Sequence, residues 1–105
     1  MEEKNDLDRI IKEDDLDVLI DFVEYLLKER RYSFFTAKNY HDDVEDFVNY
    51  LSSNKLKYID ASVPIVRAYM LELTLRGQKK VTIRRKMSSL TQFYDFLLSR
   101  EKAFK

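Results

Sequence analysis

Five cationic side chains lie within the first eight positions of one stretch, "KKVTIRRKMSSLTQFYDFLL", which runs from Lys79 to Leu98. Arginine offers a planar fork of N–H donors that matches a phosphate or the edge of guanine, and glutamine can pair with adenine. Serine is short enough to let a helix lie close to the floor of a groove. A helical wheel gathers these residue types on one face, opposite an apolar stripe and with no acid before Asp95: Arg84, Arg85, Ser88, Ser89 and Gln92, with Val81 at the entry.

This acid-free face of the helix favours contact with nucleic acid. A solvated helix face usually alternates acids and bases at i,i+4, where each pair stabilises the helix by about 0.3 kcal/mol. The face that carries Arg84 and Arg85 lacks such pairs over about three turns. An ordinary solvated face is the alternative interpretation.

Lys79 and Lys80 stand where this helix should begin, and their charge opposes the positive end of the helix dipole. A phosphate at the exposed N–H groups would explain the placement, because helix N-termini bind anions. The start of the second predicted helix resembles it more weakly, being polar or basic at Ser33, Thr36, Lys38 and Asn39. The later turns of that helix, "DDVED" at 42–46, are acidic, and we expect them to face away from nucleic acid.

The charge of the chain is zero overall but divided along its length. Residues 1–60 carry sixteen Asp and Glu against nine Lys and Arg, whereas residues 61–105 carry three against ten. Such asymmetry suggests that the basic half meets a polyanion. Neutralisation of one half by the other inside a single domain is the alternative.

Composition predicts one all-α domain. The 105 residues include one Gly and one Pro, too few for the turns of a β protein, and 45% are hydrophobic, which supports a folded core. There is no cysteine, so a thiolate metal site or thiol nucleophile is excluded. No secretion signal or long apolar run is present, and we therefore expect a cytoplasmic protein with no membrane contact and no cofactor.

Apolar periodicity predicts a small bundle of four main helices in residues 17–101, preceded by an acidic N-terminal tail at 1–16. The first helix should begin at Asp17, Ser33 should cap the second, Ser62 the third, and Gly77 should end the third. The fourth should run from about Lys80 to Arg100. On the third helix the residues expected to point inward are Val66, Tyr69, Met70 and Leu73. On the fourth they are Ile83, Met87, Leu90, Tyr94 and Leu97.

Three further residues have two interpretations each. Tyr94 could be a nucleophile, but its apolar stripe favours a core position where burial raises the phenol pKa. His41 beside Asp42 and Asp43 could serve acid–base chemistry or a metal, but adjacent helix positions do not face each other, and a solvated histidine is favoured. Phe96 either packs on the first helix or forms an exposed patch for another domain or protomer.

Three segments together resemble the N-terminal core-binding domain of tyrosine recombinases of the Xer and phage-integrase type, which has a SAM-like fold. They are "SFFTAKNYHDDVEDFVNYL", "VPIVRAYMLELTLRG" and "VTIRRKMSSLTQFYDFLL", of which the last is the most specific. The resemblance covers about residues 17–100. It implies a four-helix domain that clamps one face of a double-stranded DNA half-site, with the second and fourth helices near the major groove.

The resemblance also implies which residues touch DNA and which part of the enzyme is elsewhere. On the second helix the implied contacts are Thr36, Lys38 and Asn39; on the fourth they are Thr82, Arg84, Arg85, Ser88 and Ser89. Catalysis in the family needs Arg, Lys, His-x-x-Arg and a nucleophilic Tyr on a second domain, and this chain has one histidine. We therefore expect no catalytic residue here, residues 102–105 to begin an interdomain linker, and the parent's catalytic domain and neighbouring protomers as partners.

Two functions compete at this stage. The first is a DNA-binding domain of a site-specific recombinase. The second is a helical protein-interaction or self-association domain, in which the acidic half of one copy docks on the basic helix of another. Salt-sensitive dimerisation without DNA would indicate the second.

Overall fold

The computed structural model describes the backbone of residues 2–103 and the side chains of residues 15–100. Within this part, the chain forms α1 (Glu2–Lys28), α2 (Phe34–Ser53), a single 3-10 turn (Tyr58–Asp60), α3 (Val63–Leu75) and α4 (Lys80–Ala103). The predicted all-α class with four main helices is confirmed. Among the described residues, none of the helices combines the length and the apolar character that a membrane span requires.

The first helix begins earlier than predicted. It starts at Glu2 and not at Asp17, because no Gly or Pro interrupts residues 2–28 and nothing in the backbone stops the helix. The side chains of residues 1–14 and 101–105 lie outside the described part. The division into a tail at 1–16, a domain at 17–101 and a linker at 102–105 therefore stays a prediction, although α4 continues through Ala103.

Two of the three predicted helix-end residues act as expected. Ser33 caps α2, since its Oγ accepts a hydrogen bond from the Thr36 backbone N–H at 3.1 Å. Gly77 ends α3 with φ +84°, a left-handed conformation that glycine adopts without strain, and its N–H donates to the Thr74 carbonyl at 3.0 Å. Ser62 occupies the predicted N-cap position of α3, but its side chain makes no capping hydrogen bond there.

An aromatic cluster at the centre of the bundle joins all four helices. Phe22 of α1 meets Phe93 of α4 edge to face with ring centroids 5.2 Å apart, and Phe47 of α2 lies 4.9 Å from Tyr69 of α3. All four rings are fully buried. The ring of Tyr94 on α4 links the two pairs, since it lies 6.5 Å from Phe47 and 5.2 Å from Phe93, so the cluster spans all four helices.

The buried face of α4 is rotated from the predicted one by roughly 70° on a wheel of 3.6 residues per turn. Of the predicted stripe, Ile83 and Leu90 are buried, whereas Met87, Tyr94 and Leu97 are only partly covered. The other buried positions on α4 are Lys86, Ser89, Phe93 and Phe96. The rotation arises because α4 packs against α1 and α2 as well as α3, and the helices from the first half supply most of its partners.

Phe96 packs on the first helix, which was one of its two predicted positions. Its ring lies 5.6 Å from Phe22 and 5.1 Å from Tyr25, and it is buried. Met70 was predicted to point inward, and this was wrong: it is 38% exposed, while Tyr69 and Leu73 of the same helix are buried. The buried residues of α3 are Tyr69 and Leu73, so the face of this helix that meets the core is too narrow to include Met70.

We predict that Phe93→Ala will lower the free energy of unfolding by roughly 3–5 kcal/mol, because it removes the central ring of the cluster and leaves a cavity. The matched control is Leu98→Ala on the same helix, where the side chain is 56% exposed and the cost should be about 0.5 kcal/mol or less. Urea unfolding followed by circular dichroism measures both. Equal costs would contradict the observed orientation of α4.

Candidate nucleic-acid interface

Helices α2 and α4 run antiparallel, and this brings the start of α2 next to Gln92, one of the predicted contact residues of α4. Asp43 of α2 lies beside Arg85 and Ser89 of α4, while Tyr32, just before α2, accepts a hydrogen bond from the Gln92 side chain at 3.5 Å. The start of α2 therefore lies next to the middle of α4. Lys80 is the first residue of α4 and Lys79 precedes it, so both lysines lie at the N-terminal end of the helix, away from Gln92.

Most predicted contact residues are accessible from solvent, and so is Val81 in the first turn of α4. Thr36, Thr82 and Gln92 are half-buried, and the others that the structure leaves exposed are Ser33, Lys38, Asn39, Lys79, Lys80, Arg84, Arg85 and Ser88. Ser89 is the exception, with 1% exposure, so its predicted place on the outward face is wrong. It faces inward because α2 covers that side of α4.

Ser89 and Arg85 both bind the buried carboxylate of Asp43. The Ser89 hydroxyl donates to Oδ2 at 2.7 Å. The Arg85 guanidinium donates from Nε to Oδ2 at 3.2 Å and from Nη2 to Oδ1 at 2.9 Å. Three donors from α4 thus satisfy one carboxylate of α2, which a buried charge requires.

A second carboxylate, Asp46, joins three helices one turn further along α2. It accepts hydrogen bonds from the Tyr69 hydroxyl of α3 and from Lys86 Nζ of α4 at 3.1 Å, and Arg76 Nη1 lies 3.5 Å away. Burial alone would raise the pKa of Asp46, but the hydrogen bonds from Tyr69 and Lys86 outweigh it, and the pKa is lowered. Burial and the same carboxylate raise the pKa of the Tyr69 phenol.

The acidic turns of α2 were expected to face away from nucleic acid, which stays a prediction, but two of their carboxylates, Asp43 and Asp46, point toward α4. Both positions lie on the side of α2 that also carries Val44 and Phe47, and that side is packed against α4. Only their partners on α4, which are more than 35 positions away in sequence, reveal the inward orientation. Asp42 and Glu45 are exposed.

Charge neutralisation between the two halves of the chain, the alternative considered from the sequence, is therefore present in part. Within residues 15–100, four ion pairs join the acidic half to the basic half: Asp43 with Arg85, Asp46 with Lys86, Asp46 with Arg76, and Asp21 with Arg100. No carboxylate among those residues pairs with Lys79, Lys80 or Arg84. These three lie together at the start of α4 and are called the free cationic surface below; other cations without an ion pair in residues 15–100, such as Arg31 and Arg67, lie outside α4.

Lys38 is exposed but has a carboxylate partner on its own helix. Its Nζ donates to Asp42 at 2.8 Å, and this hydrogen bond raises the pKa of Lys38 and lowers that of Asp42. His41 Nδ1 lies 3.0 Å from Asp42, and its Nε2 lies 4.0 Å from Glu45. The three side chains are close enough to share a metal ion, a grouping that the sequence interpretation of a solvated His41 did not identify.

Tyr94 is positioned as a structural residue and not as a nucleophile. Its hydroxyl donates to the Tyr58 carbonyl at 2.7 Å, which fastens α4 to the loop before α3. Burial raises the pKa of this phenol, as expected, and so disfavours the phenolate. Tyr94 thus packs against the edge of the core while staying partly exposed, which favours the structural interpretation.

Comparison with known sequences defines the class of this helical domain. The sequence profile of the family "Phage integrase, N-terminal SAM-like domain" matches residues 19–101. The chain therefore belongs to this family of SAM-like N-terminal domains, and the resemblance seen in its sequence is confirmed.

Its relatives include tyrosine recombinases called XerC. That of Bacillus licheniformis is 40% identical over 85 residues, covering 80% of this chain and 28% of the relative. That of Anoxybacillus flavithermus is 42% identical over 82 residues, covering 77% and 27%. The chain thus spans a little over a quarter of the length of these curated relatives. No solved structure gives a significant match.

We predict that Asp46→Asn will destabilise the fold by about 1–3 kcal/mol at pH 7, because two buried donors lose a charged acceptor. The pKa of Asp46 is lowered in the folded state, so its contribution is complete above the unfolded-state value of about 4 and is lost as the pH falls further. Urea unfolding between about pH 7 and pH 2.5 should therefore show a smaller acid loss in the variant than in the wild type.

The matched control for Asp46 is Asp42→Asn, which removes the same charge from an exposed i,i+4 pair on the same helix. Its cost at pH 7 should be about 0.5 kcal/mol or less. If Asp46→Asn were as mild as this control, the three-helix role of Asp46 would be refuted.

Proposed function

We propose that this chain is the DNA-binding domain of a site-specific tyrosine recombinase and that it clamps one face of a duplex recombination half-site. One observation carries the proposal: Lys79, Lys80 and Arg84 lie together at the start of α4 without a carboxylate partner among residues 15–100, whereas Arg85, Lys86 and Arg100, further along the same helix, each have one. Folding explains the paired cations of α4. A polyanion would explain why three unpaired ones are gathered at its start.

The chemistry of the surface fits a DNA backbone and groove. The two lysines stand at the N-terminus of α4, where the helix dipole and free N–H groups also attract phosphate. Arg84 and Gln92 offer donors for base edges. The proposed contact residues are those predicted from the sequence without the buried Ser89: Ser33, Thr36, Lys38, Asn39, Lys79, Lys80, Thr82, Arg84, Arg85, Ser88 and Gln92.

Catalysis belongs to another part of the recombinase in this proposal. The names of the relatives supply the reaction class, since both XerC proteins are called tyrosine recombinases and extend well beyond the matched region. The partners of this domain are then double-stranded DNA, the catalytic domain of the same protein and neighbouring recombinase protomers. No cofactor enters the proposal, and the cytoplasmic location stays a prediction.

Self-association through opposite charges, the alternative function, is not favoured. It needs the acids of one copy to be available for the basic helix of another. Asp43 and Asp46, which face α4, are already occupied by Arg85, Lys86 and Tyr69 of the same chain. Sedimentation without DNA would reveal a salt-sensitive dimer if the alternative held.

We predict micromolar binding to a labelled duplex of about three helical turns, with a log–log salt slope of about −4 for four or five neutralised phosphates. Arg84→Ala should weaken binding several-fold and reduce the slope by about 1. The matched control is Arg67→Ala, which removes an exposed arginine from α3 and should change affinity by less than about twofold. Fluorescence anisotropy at two or more salt concentrations measures these quantities. Equal effects of the two substitutions would exclude the proposed face.

A further inference from the structure

Arg85 is the one arginine of the proposed interface that is held by a carboxylate from another helix. Its side chain is 59% exposed, whereas the side chain of Asp43 that holds it is 5% exposed. An exposed pair of long, flexible side chains is usually dynamic and contributes little to stability. Here one partner is rigid, because Asp43 is buried in the packed seam between α2 and α4.

The hydrogen-bonding pattern leaves part of the Arg85 guanidinium unused. The group has five N–H donors, and Asp43 takes one from Nε and one from Nη2. Both Nη1 donors and the second Nη2 donor have no partner among residues 15–100. A bidentate contact fixes the plane and the orientation of the guanidinium, so each of these three donors has a fixed direction.

Ser89 fixes the carboxylate in turn. Its hydroxyl donates to the same Oδ2 atom that accepts from Arg85 Nε, and it is itself buried on the next turn of α4. The packing of α2 against α4 therefore places Ser89, Asp43 and Arg85 in one chain of hydrogen bonds that leads from the interior to the surface. A polar group buried by packing thus determines the orientation of an exposed one.

We propose that Asp43 is a positioning residue for DNA binding: it holds Arg85 in the orientation in which the free guanidinium donors meet a phosphate or a base edge. The inference rests on the proposed function. From its charge alone, Asp43 would be expected to weaken DNA binding, because a carboxylate and a polyanion repel each other. The proposal gives Asp43 the opposite role. Orientation offsets this repulsion by removing the entropy that a free arginine would lose on binding.

The sign of one substitution separates the two roles. Asp43→Asn removes a negative charge, so simple electrostatics predicts tighter binding to the duplex. The positioning role predicts binding weaker by about three- to tenfold, the range expected when one side chain loses its preorganisation. Glu45→Gln is the matched control, since it removes the same charge two positions away on an exposed site, and its binding should be unchanged or tighter.

A buried acid can also matter for folding alone, and a double-mutant cycle distinguishes this case. In an Arg85→Ala background, Asp43→Asn has no arginine to release, so its weakening effect should disappear or reverse. A purely structural role would give the same loss in both backgrounds. Ser89→Ala is a milder variant that keeps the net charge and the small side chain, and it should weaken binding by about two- to threefold through Asp43.

All variants are compared as the 105-residue chain by anisotropy with the same labelled duplex, at a temperature where circular dichroism shows full helicity. Tighter binding by Asp43→Asn, or an equal loss in the Arg85→Ala background, would overturn the positioning role and leave the proposed function intact. Absence of duplex binding by the wild-type chain would overturn both.

Discussion

The seam between α2 and α4 is the constraint on which the rest of the structure depends. Two carboxylates of α2, Asp43 and Asp46, are spaced one turn apart and meet Arg85 and Lys86 on α4. Charges that leave water are costly unless every lone pair is satisfied. A shift of either helix would leave the buried carboxylate of Asp43 unpaired, so the ion pairs favour one register of α2 against α4.

The aromatic cluster contributes buried apolar surface, which the ion pairs between α2 and α4 do not. Phe22, Phe47, Tyr69 and Phe93 come one from each helix and are fully buried, so the four helices close around a common centre. Tyr69 belongs to both systems, since its ring packs on Phe47 and its hydroxyl donates to Asp46. Hydrophobic burial favours the bundle in general, and the polar seam selects one arrangement of it.

The same seam divides the cations of α4 into two groups. Arg85 and Lys86 point toward α2 and form ion pairs with its carboxylates. The three residues of the free cationic surface have no ion-pair partner among residues 15–100. Arg85 lies at the boundary, with its inner edge on Asp43 and its outer edge in solvent. The basic helix α4 is thus both an element of the core and an element of the proposed surface.

The fold class, two helix ends and the family could be predicted from the sequence alone, because each depends on local chemistry. The scarcity of Gly and Pro set the all-α class, Ser33 and Gly77 marked helix ends, and the pattern of α4 identified the family. Each of these depends on neighbouring residues, whose spacing is readable in one dimension. The exposed cations at Lys79, Lys80 and Arg84 followed from the same helical periodicity.

Only the tertiary structure decided which face of α4 is buried. Ser89 looked like a surface residue and Phe93 was missed, because a helical wheel ranks faces by their average polarity and cannot show which partner covers them. The inward position of Ser89 requires Asp43, which is 46 residues away along the chain. Ser89 can be buried because its hydroxyl donates to the Asp43 carboxylate, and this hydrogen bond forms only when α2 and α4 pack together.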